Sequence, residues 1–274
     1  MTGGVAAVDE ELIWRDASRF VAGRTFDEAA VTIAALANRG FMLSVHVFGV
    51  PATTRAAATA ATDAFVELAH AVRGPAPEAW LAVDLSRIGL GVSIPFCRRQ
   101  LTRITAALGP RQRVQVGAEL ASQAEATYRV VLDSADPAVM ATVQANLRNA
   151  PAYTDRLVQA CVPIRLVKGA FMEPERDAWP PGPATDAAFA GLARQIHAAG
   201  GELALATHDD RLRERLLREL GPLSCEQSFG VRPDGAEALL AAGLPIRICA
   251  TYGDNWLGFY LRLLAEGLRP GAGR

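Results

Sequence analysis

The chain of 274 residues contains a single lysine, Lys168, although its Lys and Arg together number 28. It lies in Ile164-Arg165-Leu166-Val167-Lys168-Gly169-Ala170, where an apolar strand-like run delivers it to a glycine turn. An ammonium is a compact charge with three rotatable donors, and arginine's wide planar fork cannot replace it where a ligand group must fit closely. Arg165 lies three positions earlier, and both cations are expected to face one interior. Thr207 and His208 follow near the next apolar run. Two cations on one strand beside Thr-His suit an anionic, phosphate-bearing cofactor, because diphosphates need fixed donors and positive charge. Two other readings of Lys168 stand beside this one. A desolvated strand-end lysine can form a Schiff base with a carbonyl substrate, and a surface lysine can be there by chance.

These residues need a scaffold that brings strand ends together. Apolar β-type runs are expected at residues 41–48, 80–85, 113–119, 139–145, 164–168, 202–207, 223–230 and 246–251. Ala/Leu/Arg-rich stretches with apolar residues three and four apart lie between them, at 53–72, 94–107, 121–133, 153–160, 187–199, 211–219 and 236–242. Strict alternation of eight strands with helices predicts a parallel sheet closed into a (β/α)8 barrel, whose active site forms at the strands' C-terminal ends. An open doubly wound sheet is the rival fold, but no G-x-G-x-x-G follows the first strand. Polar residues at the barrel's expected mouth include Asp84, Glu119, Gln144, Arg165, Lys168, Thr207, His208 and Glu226. His46, His70 and His197 are read as lying apart from the carboxylates, so no metal site is expected. Nor does a Ser-His-Asp order or nucleophile elbow appear.

One domain is expected over residues 1–274: N-terminal helices in 1–40 capping the barrel's lower end, a barrel over 41–253 and a last helix over 254–267. The Pro-rich patch at 179–183 is expected to be a mobile loop without regular structure. A net charge of −1 leaves no electrostatic footprint for nucleic acid or an anionic membrane. Cys97, Cys161, Cys225 and Cys249 are scattered, which favours a reducing compartment over a disulfide framework or zinc site. With no basic-then-apolar leader and no long apolar window, a cytoplasmic protein without stable membrane insertion is expected.

Arg165-Leu-Val-Lys168-Gly-Ala-Phe171 with Glu173-Pro174, Gln144-Ala145, Ala206-Thr207-His208-Asp209, Arg247-Ile-Cys-Ala-Thr-Tyr-Gly253 and Tyr260-Leu-Arg262-Leu-Leu-Ala-Glu266 occur in that family-like spacing over about 41–266. In these segments the chain resembles the proline dehydrogenase family of FAD enzymes. The resemblance implies a distorted β/α barrel with its final helix over the mouth. It also implies hydride transfer from the carbon beside a ring nitrogen to flavin N5, giving a cyclic imine, with a quinone or other acceptor taking the electrons. By the same resemblance Arg165 and Lys168 are the catalytic cations, Arg165 lying near N5. Gln144, Arg165, Lys168, Gly169, Ala170, Thr207, His208 and Glu266 would hold FAD.

The substrate half departs from that family's pattern. Asp84 stands where a carboxylate-clamping lysine is usual, Arg262 is kept, and Leu263 replaces a second arginine. Cys249 and Phe171 replace tyrosines, and Gly117 replaces an aspartate. Each charge-assisted hydrogen bond to a carboxylate contributes about 1.5–3 kcal/mol, so free L-proline is not the expected best substrate. A cyclic amine lacking a free carboxylate, or tethered to a carrier, fits Asp84 better. Asp84 can equally be a structural ion-pair partner of Arg262 or Arg87. Asp84→Lys with Leu263→Arg is then expected to raise proline turnover. A flavin-binding protein without turnover is the remaining alternative.

Overall fold

The computed structural model describes residues 10–265. Eight parallel strands close into one barrel in sequence order. They are β1 (Met42–Val47), β2 (Trp80–Val83), β3 (Val114–Val116), β4 (Val139–Gln144), β5 (Ile164–Val167), β6 (Leu203–Ala206), β7 (Ser224–Ser228) and β8 (Ile246–Tyr252). The helices are α1 (Glu10–Ala17), α2 (Phe26–Asn38), α3 (Arg55–Ala71), α4 (Ile94–Ala106), α5 (Ala124–Ser134), α6 (Ala150–Gln159), α7 (Pro183–Ala198), α8 (Asp210–Leu220), α9 (Pro233–Ala241) and α10 (Trp256–Ala265). Each expected strand is present, seven of them shorter than expected by one to four residues and β8 longer by one. No described helix is long and apolar enough to cross a membrane.

Successive side chains on a strand point to opposite faces. Leu43 and Val45, Leu81 and Val83, Val114 and Val116, Ile164 and Leu166, Leu203 and Leu205, and Ile246 and Ile248 belong to the apolar core beneath the helices. Their alternates therefore face into the ring: Ser44 and His46, Asp84, Gln115, Thr142 and Gln144, Arg165, Glu226, Arg247 and Cys249. Barrels usually fill this space with branched aliphatics. Here much of it is polar, with Arg165 and Glu226 on the inner wall.

The N-terminal helices do not cap the lower end. The Ala22 N–H donates to the Thr251 carbonyl at 2.7 Å, and Gly23 bridges Tyr252 in parallel, so this segment is anchored at the mouth end of β8. From there α2 runs down the outside against β1 and β8. It fills the place that the helix after β8 would otherwise take. Thr25 accepts the Glu28 N–H at the start of α2, which sets where it begins. Freed from that position, α10 lies over the mouth. Its Phe259 ring is 5.4 Å from Phe48 and 6.5 Å from His46, and the Arg262 guanidinium is 5.3 Å from the Phe171 ring. Its other face packs with Ala17, Phe20, Val21 and Val231 in a second apolar cluster that includes Trp256, Tyr260 and Leu263.

The Pro-rich patch is tied down, contrary to the expectation of a mobile loop. The Trp179 N–H donates to the Asn146 carbonyl at 2.8 Å, and the Arg148 guanidinium lies 3.7 Å from its ring centre. Pro183 opens α7, where its missing N–H and fixed φ suit a helix's first turn.

Candidate active site

Midway down the inner wall, Glu226 accepts two hydrogen bonds. Arg165 Nε donates to Oε1 at 2.6 Å and Gln115 Nε2 to Oε2 at 2.6 Å. The Glu226 side chain is 1% exposed and that of Arg165 21%, so the pair joins the dry wall to the open mouth. Among the described residues only Nε of Arg165 has a hydrogen-bond partner. Cys249 lies on the same wall, opposite Ser44 and Ser228 in register. Burial raises its thiol's pKa, and the Glu226 charge adds to that. Arg247, lower down, stacks 3.4 Å from the Trp80 ring centre and donates to the Leu43 carbonyl at 2.7 Å; burial lowers its pKa to about 10.

Lys168 does not share that interior with Arg165, because an odd spacing on a strand puts two side chains on opposite faces. Its ammonium points to the first turn of α7 and the cap of α8, 2.6 Å from Asp186 Oδ1 and 2.7 Å from Asp209 Oδ2. Burial opposes its charge, but the two carboxylates outweigh burial and raise its pKa. Asp209 is also the N-cap of α8, accepting the Leu212 N–H at 3.0 Å. A lysine held protonated in this way is a poor Schiff-base nucleophile. Gly169 lies close by, and a Cβ there would come within 2.5–2.6 Å of the Asn146 side chain.

Gln144 joins two loops at the rim. Its Oε1 accepts the Ala170 N–H at 2.9 Å, and its Nε2 donates to the Glu119 carbonyl at 2.7 Å. One amide proton and one lone pair remain uncommitted. Thr207 steadies its own turn, its hydroxyl oxygen accepting the Asp209 N–H at 3.1 Å. His208 Nε2 accepts the Ser228 N–H at 3.0 Å and ties β6 to β7.

The opposite side of the mouth is built around Asp84. His46 Nε2 lies 3.0 Å from Asp84 Oδ2, and His46 Nδ1 is 3.4 Å from Thr251 Oγ1. The reading of His46 as remote from carboxylates is thus overturned. Inward alternation on β1 was the signal that it shares a face with Asp84. Burial raises the Asp84 pKa, but His46, Arg262 and Arg87 together bring it below the usual carboxylate value. Gly117 makes room, since a Cβ there would fall 2.1 Å from Asp84 Oδ1. Glu119 accepts the Ser86 N–H at 2.7 Å, and burial, with the Asp84 charge, raises its pKa to about 7. Asp84, Phe171 and Arg262 are brought together here, and Cys249 lies on the wall below. Leu263 is not part of this group. It is 3% exposed inside the α1–α10 cluster, because it follows Trp256 and Tyr260 on the helix face opposite to Arg262. Glu266 lies outside the described residues.

His208 gives the site an acid limit. Burial, then the charges of Arg165, Arg213 and Arg232, lower its pKa from 6.5 to about 4. Between those values the unfolded chain binds a proton that the folded chain refuses, so stability present above pH 6.5 is lost as pH falls toward 4. The loss attributable to this group is about 3 kcal/mol. Urea denaturation from pH 7 to pH 4 is expected to show a flatter acid limb for His208→Gln than for the parent protein. Parallel limbs would refute it.

The proline dehydrogenase family model matches residues 29–266. Proline dehydrogenase 1 of Bacillus subtilis subsp. natto is 25% identical over 263 residues, covering 91% of this chain and 86% of that protein. The proline dehydrogenase of Deinococcus radiodurans is 24% identical over 290 residues, covering 98% and 91%. Among solved structures, proline utilization A of Bdellovibrio bacteriovorus inactivated by N-propargylglycine superposes with a TM-score of 0.87 at 16% identity, a likeness of fold. That alignment covers 96% of this chain and 34% of the other, so the chain spans about a third of that longer protein. With a family model matched along nearly the whole barrel, the chain belongs to the proline dehydrogenase family.

Proposed function

We propose that the protein is an FAD-dependent oxidoreductase that converts the C–N bond of proline, or of a proline-like cyclic secondary amine, to a cyclic imine. A quinone or another acceptor would then take the electrons. The observation that carries this reading is Arg165, a guanidinium on the inner wall of a closed barrel with its terminal nitrogens uncommitted among the described residues.

The chain's donors fit FAD. Thr142 Oγ1, on the inner wall, is buried without a partner, and Arg165, Arg213 and Arg232 surround His208 with positive charge. FAD, when bound, supplies a two-electron acceptor for the substrate's hydride. Arg165 would stabilise the negative charge gained there, and Gln144, Gly169, Ala170, Thr207 and His208 would line its path. Lys168 would act through the Asp186/Asp209 cluster at the rim, since those carboxylates already neutralise it. Asp84, Phe171, Cys249 and Arg262 would face the amine.

Asp84 supports a substrate lacking a free carboxylate, because a buried-side carboxylate attracts a ring ammonium and repels a second carboxylate. Purified protein is expected to be yellow, and anaerobic addition of pyrrolidine or proline methyl ester is expected to bleach it faster than L-proline. Colourless protein that takes up no added FAD would overturn the proposal. Bound FAD left oxidised across a broad panel of cyclic amines would leave a binding protein without turnover.

A further inference from the structure

We propose that Glu226 is a built-in counter-charge that limits how strongly Arg165 stabilises reduced FAD, and so holds the flavin's reduction potential down. This rests on the reading that FAD is seated against Arg165. Glu226 is a positioning residue in that role, acting through the guanidinium.

The geometry asks for a charge rather than a filler. Arg165 Nε and Gln115 Nε2 each reach one Glu226 oxygen at 2.6 Å, and the side chain is 1% exposed. A glutamine could satisfy much of this hydrogen bonding, yet a buried carboxylate is there, and burying an ion is costly unless it is paired. Arg165 cancels its field only in part. The Glu226 charge helps raise the Cys249 thiol on the next strand and opposes the depression of Arg247 below. Arg165 therefore presents to the mouth a pair that is nearly neutral at a distance. A two-electron reduction adds one negative charge to the ring at neutral pH, so a nearby cation favours the reduced form and a nearby anion opposes it. Without the carboxylate, the same guanidinium would act with its full charge.

The test is the midpoint potential of the FAD-loaded protein, measured by dye equilibration, for the parent, Glu226→Gln, Glu226→Asp and Gln115→Met. Glu226→Gln is expected to favour reduction about tenfold or more, which for a two-electron couple is an upward shift of about 30 mV or more. Glu226→Asp keeps the charge but withdraws it from Nε, so a smaller upward shift is expected. Gln115→Met removes a hydrogen bond and leaves the charge, so its potential is expected to stay within about threefold of the parent's equilibrium. A merely structural role would move Gln115→Met as much as Glu226→Gln, and that result would overturn the proposal. So would an unmoved potential in Glu226→Gln. If that variant does not fold, an unmoved Glu226→Asp overturns it instead. Protein that takes up no FAD sinks both this proposal and the function it rests on, whereas an unmoved potential in loaded protein sinks this one alone.

Discussion

Arg165→Met is expected to slow anaerobic flavin reduction by about 100- to 1000-fold, the usual effect of removing one preorganised donor from a developing negative charge. It is also expected to destabilise the fold by about 3–5 kcal/mol, because Glu226 would be left buried with its charge unpaired. The two effects come from the two sides of one guanidinium. One side faces Glu226 at 2.6 Å, and the rest is available to the mouth. They can therefore be separated. Adding Glu226→Gln to Arg165→Met removes the stranded charge, and urea denaturation should recover most of the lost stability. Stopped-flow reduction should stay slow. A single variant whose rate stays within about tenfold of the parent would remove Arg165 from the chemistry.

The alternation of strands and helices was legible because most strands' outward rows are apolar and the helices carry a three-and-four period. The same alternation already contained the sorting of the site. Arg165 and Lys168 differ by an odd number, so they cannot share a face, and the structure sends one to Glu226 and the other to Asp186 and Asp209. His46 and Asp84 both fall on inward positions, but their pairing depends on how neighbouring strands are staggered around the ring. Local patterns do not encode that stagger. The place of α2 was hidden for a similar reason. Only the return of α10 across the mouth leaves the outer position between β8 and β1 for it. The 179–183 patch reads as loop chemistry, while its anchoring comes from Asn146 and Arg148, about thirty residues earlier in the chain.

Those tertiary facts change the expected outcome of re-engineering the substrate side. Leu263→Arg should not create a carboxylate clamp. It would place a guanidinium in the seam formed by Ala17, Phe20, Trp256 and Tyr260, and lose the burial of a leucine. A loss of about 3 kcal/mol or more is expected, which calorimetry would read as a fall in Tm of about 6 °C or more. Asp84 is the position where selectivity should change. Its charge faces the mouth beside Arg262 and Arg87, held by His46 at 3.0 Å. Asp84→Lys would set a third cation against those arginines, whereas Asp84→Asn removes only the repulsion. That variant is expected to raise the ratio of kcat/KM for L-proline over that for pyrrolidine by about tenfold to a hundredfold, one charge-assisted contact's worth. The mouth-facing row of α10 is Phe259 and Arg262, three apart, so position 263 lies off the row that could meet a carboxylate. An unchanged ratio in Asp84→Asn would show that Asp84 serves His46 and the barrel wall, and that the amine docks elsewhere.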